Sequence, residues 1–160
     1  MITYRKAELR DIPAVTHLRL QFLKEVYPLA DTSRDETLLE QLRLYMLQHL
    51  PEGNFVNWLA ESKQEIIGTA GIVFYQQPPL YHNLSGKVGY ILNVYTLPAF
   101  RRQGIARILM EKIMEEARLR QTGKLSLHAS PDGRTLYEEL GFIAGDNEMT
   151  YQPAIMIKNN

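Results

Sequence analysis

The sequence contains no cysteine. That absence excludes disulfide bonds, thiolate metal sites and a cysteine nucleophile. The chain also has no apolar run of membrane-spanning length, and its first residues, MITYRKAELRD, lack the apolar core of a signal peptide. We therefore expect a cytoplasmic protein with no membrane partner.

The chain also has no net charge at neutral pH, because its 18 Lys and Arg residues balance its 18 Asp and Glu residues. A balanced chain argues against a general nucleic-acid-binding surface, so no nucleic-acid partner is expected. The positive and negative charges are not balanced locally, since no Asp or Glu occurs between Ile66 and Met110. The cations of this stretch are Lys87, Arg101, Arg102 and Arg107. A segment whose formal charges are all positive suits an anionic ligand.

The 160 residues are predicted to form a single domain spanning 1–160. Period-two alternation predicts strands, and apolar residues three and four apart predict helices. The predicted strands are Ile2–Lys6, 54–61, 66–76, 90–96, 125–129, 142–145 and 149–157. The predicted helices follow Asp11 to about Tyr27, Thr32 or Ser33 to about Leu50, Gly104 to Gly123, and Asp132 to Leu140. Strands mixed with helices, some joined by hairpins, indicate an α+β (mixed α/β) fold with a mixed sheet.

The most informative stretch is a strand, a turn and a helix in direct succession. Residues 90–96 are rich in β-branched and aromatic types, Pro98 marks the turn, and RRQGIA at 101–106 opens an amphipathic helix. The first N–H groups of a helix have no intrahelical partner, and the helix dipole is positive at that end. The junction is therefore a candidate anion site, although it contains neither GxxxxGK[ST] nor GxGxxG.

Two motifs carry a family resemblance. Arg-x-x-Gly-x-Ala at 101–106, after a strand and a Pro turn, resembles the acetyl-coenzyme A signature of the GNAT superfamily of N-acetyltransferases. LYEELGF at 136–142 resembles a second segment of that family, and the two motifs occur in the family's order. The resemblance covers nearly the whole chain. It implies the GNAT fold, a central mixed sheet of about six to seven strands flanked by about four helices, with acetyl-CoA as co-substrate and no metal.

The resemblance also implies roles for individual residues. The backbone of residues 102–107 would face the pyrophosphate, and the main chain of the preceding strand would bind the pantetheine arm and the thioester. Relatives often have Asn and Ala where this chain has Ser130 and Gly133, which leaves the cofactor contacts of that turn open. The predicted cofactor-binding residues are Val94, Tyr95, Thr96, Arg101, Arg102, Gln103, Gly104, Ile105, Ala106, Arg107, Ser130 and Gly133.

Proton transfer needs an acid and a base. The resemblance implies Tyr137 as the acid that protonates the departing thiolate, and a phenol can do so in a positioned contact. Packing on a short helix is the structural alternative for this tyrosine. The base stays open between His128, Tyr90 and water. Imidazole is the side chain whose unperturbed pKa, about 6.5, lies nearest neutrality, but a structural role also fits His128.

The expected reaction is direct acetyl transfer in a ternary complex, because no cysteine is present to carry the acyl group. The acceptor would be the primary amine of a small molecule or a peptide. The missing carboxylates favour an uncharged or weakly charged amine over a polyamine, and residues 27–33 and 76–86 are the candidate walls of its site. A non-catalytic acyl-CoA sensor and a nucleic-acid-binding regulator are the competing functions, and the assembly stays open between monomer and homodimer.

Overall fold

The computed structural model describes residues 1–145 and 148–153. Two compact units divide the chain, Met1–His128 and the residues from Ala129 onward. Within these described residues, the first unit contains one five-stranded sheet and three α-helices, and the second contains one short α-helix. The sheet runs in the order β1-β2-β3-β4-β5, antiparallel except for the β4–β5 pair. The strands are β1 (Ile2–Lys6), β2 (Phe55–Ser62), β3 (Glu65–Gln76), β4 (Lys87–Thr96) and β5 (Lys124–Leu127).

This architecture confirms the predicted α+β fold with a mixed sheet, and the described residues form five strands where six to seven were predicted. The predicted strand at 142–145 is wrong, and residues 149–153 of the last predicted strand have no strand structure either. Residues 154–157 of that strand lie outside the described part. Ile143 and Met149 are 94% and 96% exposed, so the apolar side chains that predicted these strands do not pack against the sheet in the described part of the chain.

The helices begin and end where caps and turns allow. They are α1 (Ile12–Val26), α2 (Asp35–Glu52), α3 (Ile105–Leu119) and α4 (Arg134–Glu139). Helix α1 starts after Asp11, as predicted. Helix α2 starts later than predicted, because Asp31 accepts a hydrogen bond from the Ser33 N–H and closes a separate turn of 3-10 helix first. It passes Pro51 and ends at Gly53, whose φ of 73° is left-handed.

Helices cover both faces of the sheet. On one face Ile12 and Val15 of α1 and Met46 of α2 pack with Phe55 and Leu59 of β2. On the other face the apolar side of α3 is buried as its periodicity predicted. Gly68 of β3 lets α3 approach closely, since a Cβ there would lie 3.1 Å from the Ile105 side chain. Strand β4 therefore lies between β3 and β5 and contacts α1 as well as α3.

A partly buried ion pair between Arg5 and Asp11 stabilises the start of α1. Asp11 accepts hydrogen bonds from Arg5 Nη1 at 2.7 Å and Arg5 Nη2 at 2.9 Å, and from the Glu8 N–H at 2.8 Å. The Arg5 guanidinium holds the pKa of Asp11 below its ordinary value of 3.8, against the opposing effect of burial. Asp11 therefore stabilises the fold while it is ionised.

We expect Asp11→Asn to lower the free energy of unfolding by about 2 kcal/mol at pH 7, the scale of a hydrogen bond to a charged group. The folded pKa of Asp11 lies below the unfolded one, so its contribution is complete above the unfolded pKa and is lost as the pH falls through the folded pKa. The difference between wild type and variant should therefore shrink in urea titrations at low pH. An equal difference at pH 7 and at about pH 2 would contradict the assignment.

Candidate functional site

Strand β4 leaves its neighbour β5 halfway along its length. It pairs with β3 up to Thr96, but its pairs with β5 run only from Val88 to Ile91. From Leu92 to Thr96 the described residues offer β4 no second strand. The backbone on this open side is where the predicted contacts of Val94, Tyr95 and Thr96 with an extended ligand lie.

A bulge interrupts β4 at the same point. Asn93 has a φ of 59°, and the register with β3 shifts between Thr69 and Gly71. An extra residue changes which face the following side chains occupy. Tyr95, beyond the bulge, contacts Phe22 of α1 at a ring distance of 6.0 Å. Sequence reasoning missed Asn93, although Asn is enriched at positive φ and stands here inside an apolar strand.

Polar atoms are buried near the bulge. The Asn93 amide lies 3.4 Å from Thr69 Oγ1, but its Oδ1 is buried without a hydrogen-bond partner among the described residues. Thr96 Oγ1 is also buried and has no hydrogen-bond partner among the described residues. Buried polar groups are rarely left unpaired in proteins. The open part of β4 therefore contains hydrogen-bonding capacity that the described protein does not use.

The predicted anion site has the backbone geometry that its motif requires. Arg102 and Gly104 have φ values of 62° and 77°, both left-handed, and a Cβ at Gly104 would meet nothing within 4 Å. The first helical hydrogen bond of α3 runs from the Ile108 N–H to the Gly104 carbonyl at 3.2 Å. The amides of residues 105–107, among them those of Ile105 and Ala106, therefore precede the helical ladder, where an anion can accept from them.

The side chain of Arg101 forms hydrogen bonds within the protein. Its Nη2 donates to both oxygens of Glu25 at 2.9 and 2.7 Å, and its Nε donates to the Thr96 carbonyl at 3.0 Å. The Tyr95 hydroxyl donates to Glu25 at 2.6 Å. Burial and this bond to Glu25 raise the pKa of Tyr95 to about 12. The structure thus assigns the Arg101 side chain to fastening the turn onto α1, and a cofactor role, which stays a prediction, falls to its backbone.

Glu25 is the residue that sequence reasoning missed here. Burial raises its pKa, but the bonds from Tyr95 and Arg101 outweigh that effect, and the pKa lies below the ordinary value. No motif marks Glu25, because its partner Arg101 is 76 residues away.

The other predicted residues of the turn and the remaining cation of the strand lie in different places. Arg102 and the neutral Gln103 are exposed at the turn. Lys87 donates to the Arg120 carbonyl at the opposite end of β4. A surface cavity of about 600 Å³ lies at that opposite end.

Two candidates for the base are neighbours across β4 and β5. Tyr90 pairs with Ser126, and His128 follows two residues later, on the same face of the sheet. The Tyr90 hydroxyl is in hydrogen-bond contact with His128 Nδ1, and the rings meet edge to face with centroids 5.7 Å apart. Sequence reasoning named both residues as alternatives, and the structure brings them together as a pair.

The second unit contains the remaining predicted residues. Ser130 accepts a hydrogen bond from the Gly133 N–H through its carbonyl at 3.1 Å and through Oγ at 3.3 Å. A Cβ at Gly133 would lie 2.9 Å from the Tyr137 ring, so any larger residue at this position would require the ring to shift. Tyr137 is buried, contacts Phe142 at a ring distance of 6.1 Å, and has a pKa raised by burial.

Among residues 1–145 and 148–153, no three His, Asp or Glu side chains are grouped so that they could hold a metal ion. In the same part of the chain, none of the helices has the length and apolar character needed to cross a bilayer.

Known proteins resemble this chain along most of its length. Residues 17–142 match the acetyltransferase (GNAT) family. A protein of Escherichia coli described as the uncharacterized N-acetyltransferase YjgM is 29% identical over 148 residues, covering 86% of this chain and 80% of that protein. The crystal structure of a predicted acetyltransferase from Clostridium acetobutylicum, with acetyl-CoA, is 34% identical with a TM-score of 0.86, covering 95% and 96% of the two chains. A GCN5-related N-acetyltransferase from Ralstonia eutropha is 25% identical, with a TM-score of 0.86, covering 96% of this chain and 99% of the other.

Proposed function

Because the chain belongs to the GNAT acetyltransferase family, we propose that it transfers the acetyl group of acetyl-CoA to a primary amine. The proposal includes direct transfer, with acetyl-CoA and acceptor bound together. The observation that carries it is the junction of β4 and α3, where the edge of β4 beyond Ile91 leads to the first turn of α3, whose N–H groups precede the helical ladder. An extended ligand that ends in a pyrophosphate matches this succession of strand edge and anion site.

In the proposed complex the amides of residues 105–107 and the exposed Arg102 bind the pyrophosphate, because a helix N-terminus favours negative charge. The backbone of β4 beyond Ile91 binds the pantetheine arm, as does the Thr96 hydroxyl, which has no hydrogen-bond partner among the described residues. Glu25 acts indirectly, since it fastens Arg101 and Tyr95 and so holds the turn in place.

The amine must lose a proton before or during its attack on the thioester carbonyl. We assign this task to His128, positioned by Tyr90. If His128 Nδ1–H donates to the Tyr90 oxygen, Nε2 carries the ring lone pair, which is the one that would accept the amine proton. As the new C–N bond forms, the C–S bond breaks, and the departing thiolate takes a proton from the Tyr137 hydroxyl. The products are the acetylated amine and coenzyme A with a free thiol.

A panel of primary amines, each incubated with acetyl-CoA while free thiol is followed, tests this function. The panel should contain amino acids, amino sugars, aminoglycosides, polyamines and peptides with free N-termini. We expect thiol release that requires both an amine and the protein. Acetyl-CoA binding without thiol release for any amine would reject the enzyme and favour a sensor of acyl-CoA.

We expect His128→Gln to lower kcat by about tenfold at pH 7, less than the usual 10²-fold for an acid–base group, because some amine is already neutral in solution. The loss should shrink as the pH rises, since the amine then deprotonates without help. Tyr90→Phe should show a smaller loss of the same kind. A loss in His128→Gln that is independent of pH would indicate a structural role instead.

A further inference from the structure

Arg19 differs from the other cations around the site. It lies in the middle of α1 and is partly buried, and within the described residues it has no hydrogen-bond or ion-pair partner. The neighbouring cations of the first unit are paired: Lys24 with Asp35 at 2.5 Å, Arg101 with Glu25 at 2.7 Å, and Arg5 with Asp11 at 2.7 Å. A guanidinium is the one side chain that cannot give up its charge in a protein. Arg19 therefore carries a partly desolvated positive charge, and the part of the chain that the structure describes gives it no anionic partner.

The surroundings of Arg19 are phenols. Its electrostatic neighbours are Tyr45, Tyr90 and Tyr27, and burial lowers its pKa while these tyrosines act in the opposite direction. Holding a cation away from water without a counter-ion is unfavourable for the folded protein. No Asp or Glu occurs in β3 beyond Ile66, in the loop that follows β3, or in β4. These segments therefore contain no side chain that could neutralise the Arg19 guanidinium. The charge is left available to a ligand.

The position of Arg19 follows from the contacts of α1 along β4. Phe22 contacts Tyr95, and one turn later Glu25 binds Tyr95 and Arg101. Arg19 lies one turn before Phe22, which is about 4.5 Å along the helix. It therefore faces β4 between Tyr90 and Tyr95, where β4 separates from β5.

This region lies on the side of the sheet that carries the proposed base. Tyr90 is opposite Val73, and Val73 is opposite Phe55, which packs with α1 and α2. Side chains of directly opposed residues share a face of the sheet. Tyr90 and its partner His128 therefore share a face with Arg19, within one structural unit.

We propose that Arg19 binds a carboxylate of the acceptor, so that the acceptor is an amino acid or a similar amine bearing a carboxylate. This inference rests on the proposed N-acetyltransferase function and specifies its substrate class. The planar guanidinium matches a carboxylate in a two-point contact. A single cation surrounded by neutral phenols suits a singly charged carboxylate better than a phosphate, which carries up to two charges at pH 7. The acceptor is then zwitterionic in solution, without a net positive charge.

The test uses matched amines and the whole protein. Initial rates of thiol release from acetyl-CoA are measured with the twenty L-amino acids, and the best of them is compared with its carboxamide, its decarboxylated amine and O-phosphoethanolamine. We expect kcat/KM for the amino acid to exceed the value for each other compound by at least tenfold. The amide has the less basic amine, so amine reactivity alone would give the opposite order at neutral pH.

Variants at position 19 separate binding from folding. Arg19→Gln should raise KM for the amino acid by at least tenfold, with kcat nearly unchanged and with the rate on the carboxamide within twofold of wild type. Arg19→Lys should restore part of the affinity, because the charge returns without the planar fork. Without ligand, the Tm of Arg19→Gln should equal or exceed the wild-type value, since the substitution removes a partly buried charge that has no anionic partner among the described residues. Lys63→Gln in the β2–β3 turn is the control, because it removes one exposed charge at the far end of the hairpin.

Each contrary result is distinct. Equal rates on amino acid and carboxamide, or an Arg19→Gln variant that loses both equally, would overturn the carboxylate site and leave the acetyltransferase intact. A Tm of Arg19→Gln several degrees below wild type would assign Arg19 to structure, and O-phosphoethanolamine as the best substrate would assign it to phosphate. No thiol release with any compound would overturn the proposed function itself, and this inference with it.

Discussion

Gly104→Glu should abolish measurable binding of acetyl-CoA in calorimetry. A side chain at this position would extend into open space, because a Cβ there meets nothing within 4 Å. The protein's own packing is therefore undisturbed. In the proposed complex, however, that space belongs to the pyrophosphate, and a carboxylate would place a second negative charge against the amides of residues 105–107. Steric exclusion and repulsion act together, so a loss of at least 10²-fold in affinity, about 2.7 kcal/mol, is expected.

Backbone strain has to be separated from this effect. Gly104 has a φ of 77°, a conformation that disfavours any L side chain by about 1 kcal/mol. Gly53 provides a matched control, because its φ is 73° and its Cβ position is equally open, at the end of α2. Gly53→Glu should lose similar stability and bind acetyl-CoA normally, whereas Gly104→Ala should have the strain without the charge. A folded Gly104→Glu variant with wild-type affinity would remove the cofactor site from this turn.

Tyr137→Phe should lower kcat by about 10²-fold or more, the usual scale for a lost acid–base group. The substitution keeps the ring that fits against Gly133 and Phe142 and deletes only the proton donor. The Michaelis constant for acetyl-CoA should change little, because the hydroxyl acts mainly in the transition state. Burial raises the pKa of Tyr137, so the phenol keeps its proton throughout the neutral range. The effect of the variant should accordingly be independent of pH between about 6 and 9.

Tyr151→Phe is the control for this variant, because Tyr151 belongs to the same unit and is exposed. It should leave kcat unchanged. Pre-steady-state thiol release should be measured for both variants, so that slow product release does not mask a slower chemical step. A folded Tyr137→Phe enzyme whose chemical step runs at the wild-type rate would reject the phenol as acid, and leave the fold and the cofactor turn unaffected.

Much of the fold was predictable because its signals are local. The apolar residues of α3 repeat at helical spacing, and the structure buries that face. The turn between β2 and β3, Lys63-Gln64, separates two apolar runs, and they pair as the predicted hairpin. Arg-x-x-Gly-x-Ala was informative for the same reason, since a turn needing left-handed φ at Gly104 is encoded within a few residues.

The same reasoning failed where a segment needs a partner. Residues 142–145 alternate like a strand, but alternation shows only that a segment could lie on a sheet. No strand of the described part pairs with it, and Ile143 stays exposed. The start of α2 differed for a related reason, because Asp31 offers its side chain to the Ser33 amide and competes with the helix for that turn.

By itself the sequence determined the strand–turn–helix junction, the amphipathic helices and the absence of carboxylates from residues 66–110, because each is a property of neighbouring residues. Only the tertiary structure decided which distant side chains meet: Glu25 with Arg101, Tyr90 with His128, and Arg19 with its tyrosines. Those contacts depend on the register of β4 and on the bulge at Asn93, which brings both Tyr90 and Tyr95 towards α1. Strand register is set by the packing of whole elements, and a shift of one residue would exchange the two faces of the sheet. For that reason the partly buried Arg19, which has no anionic partner among the described residues, is recognised only once α1 lies against β4.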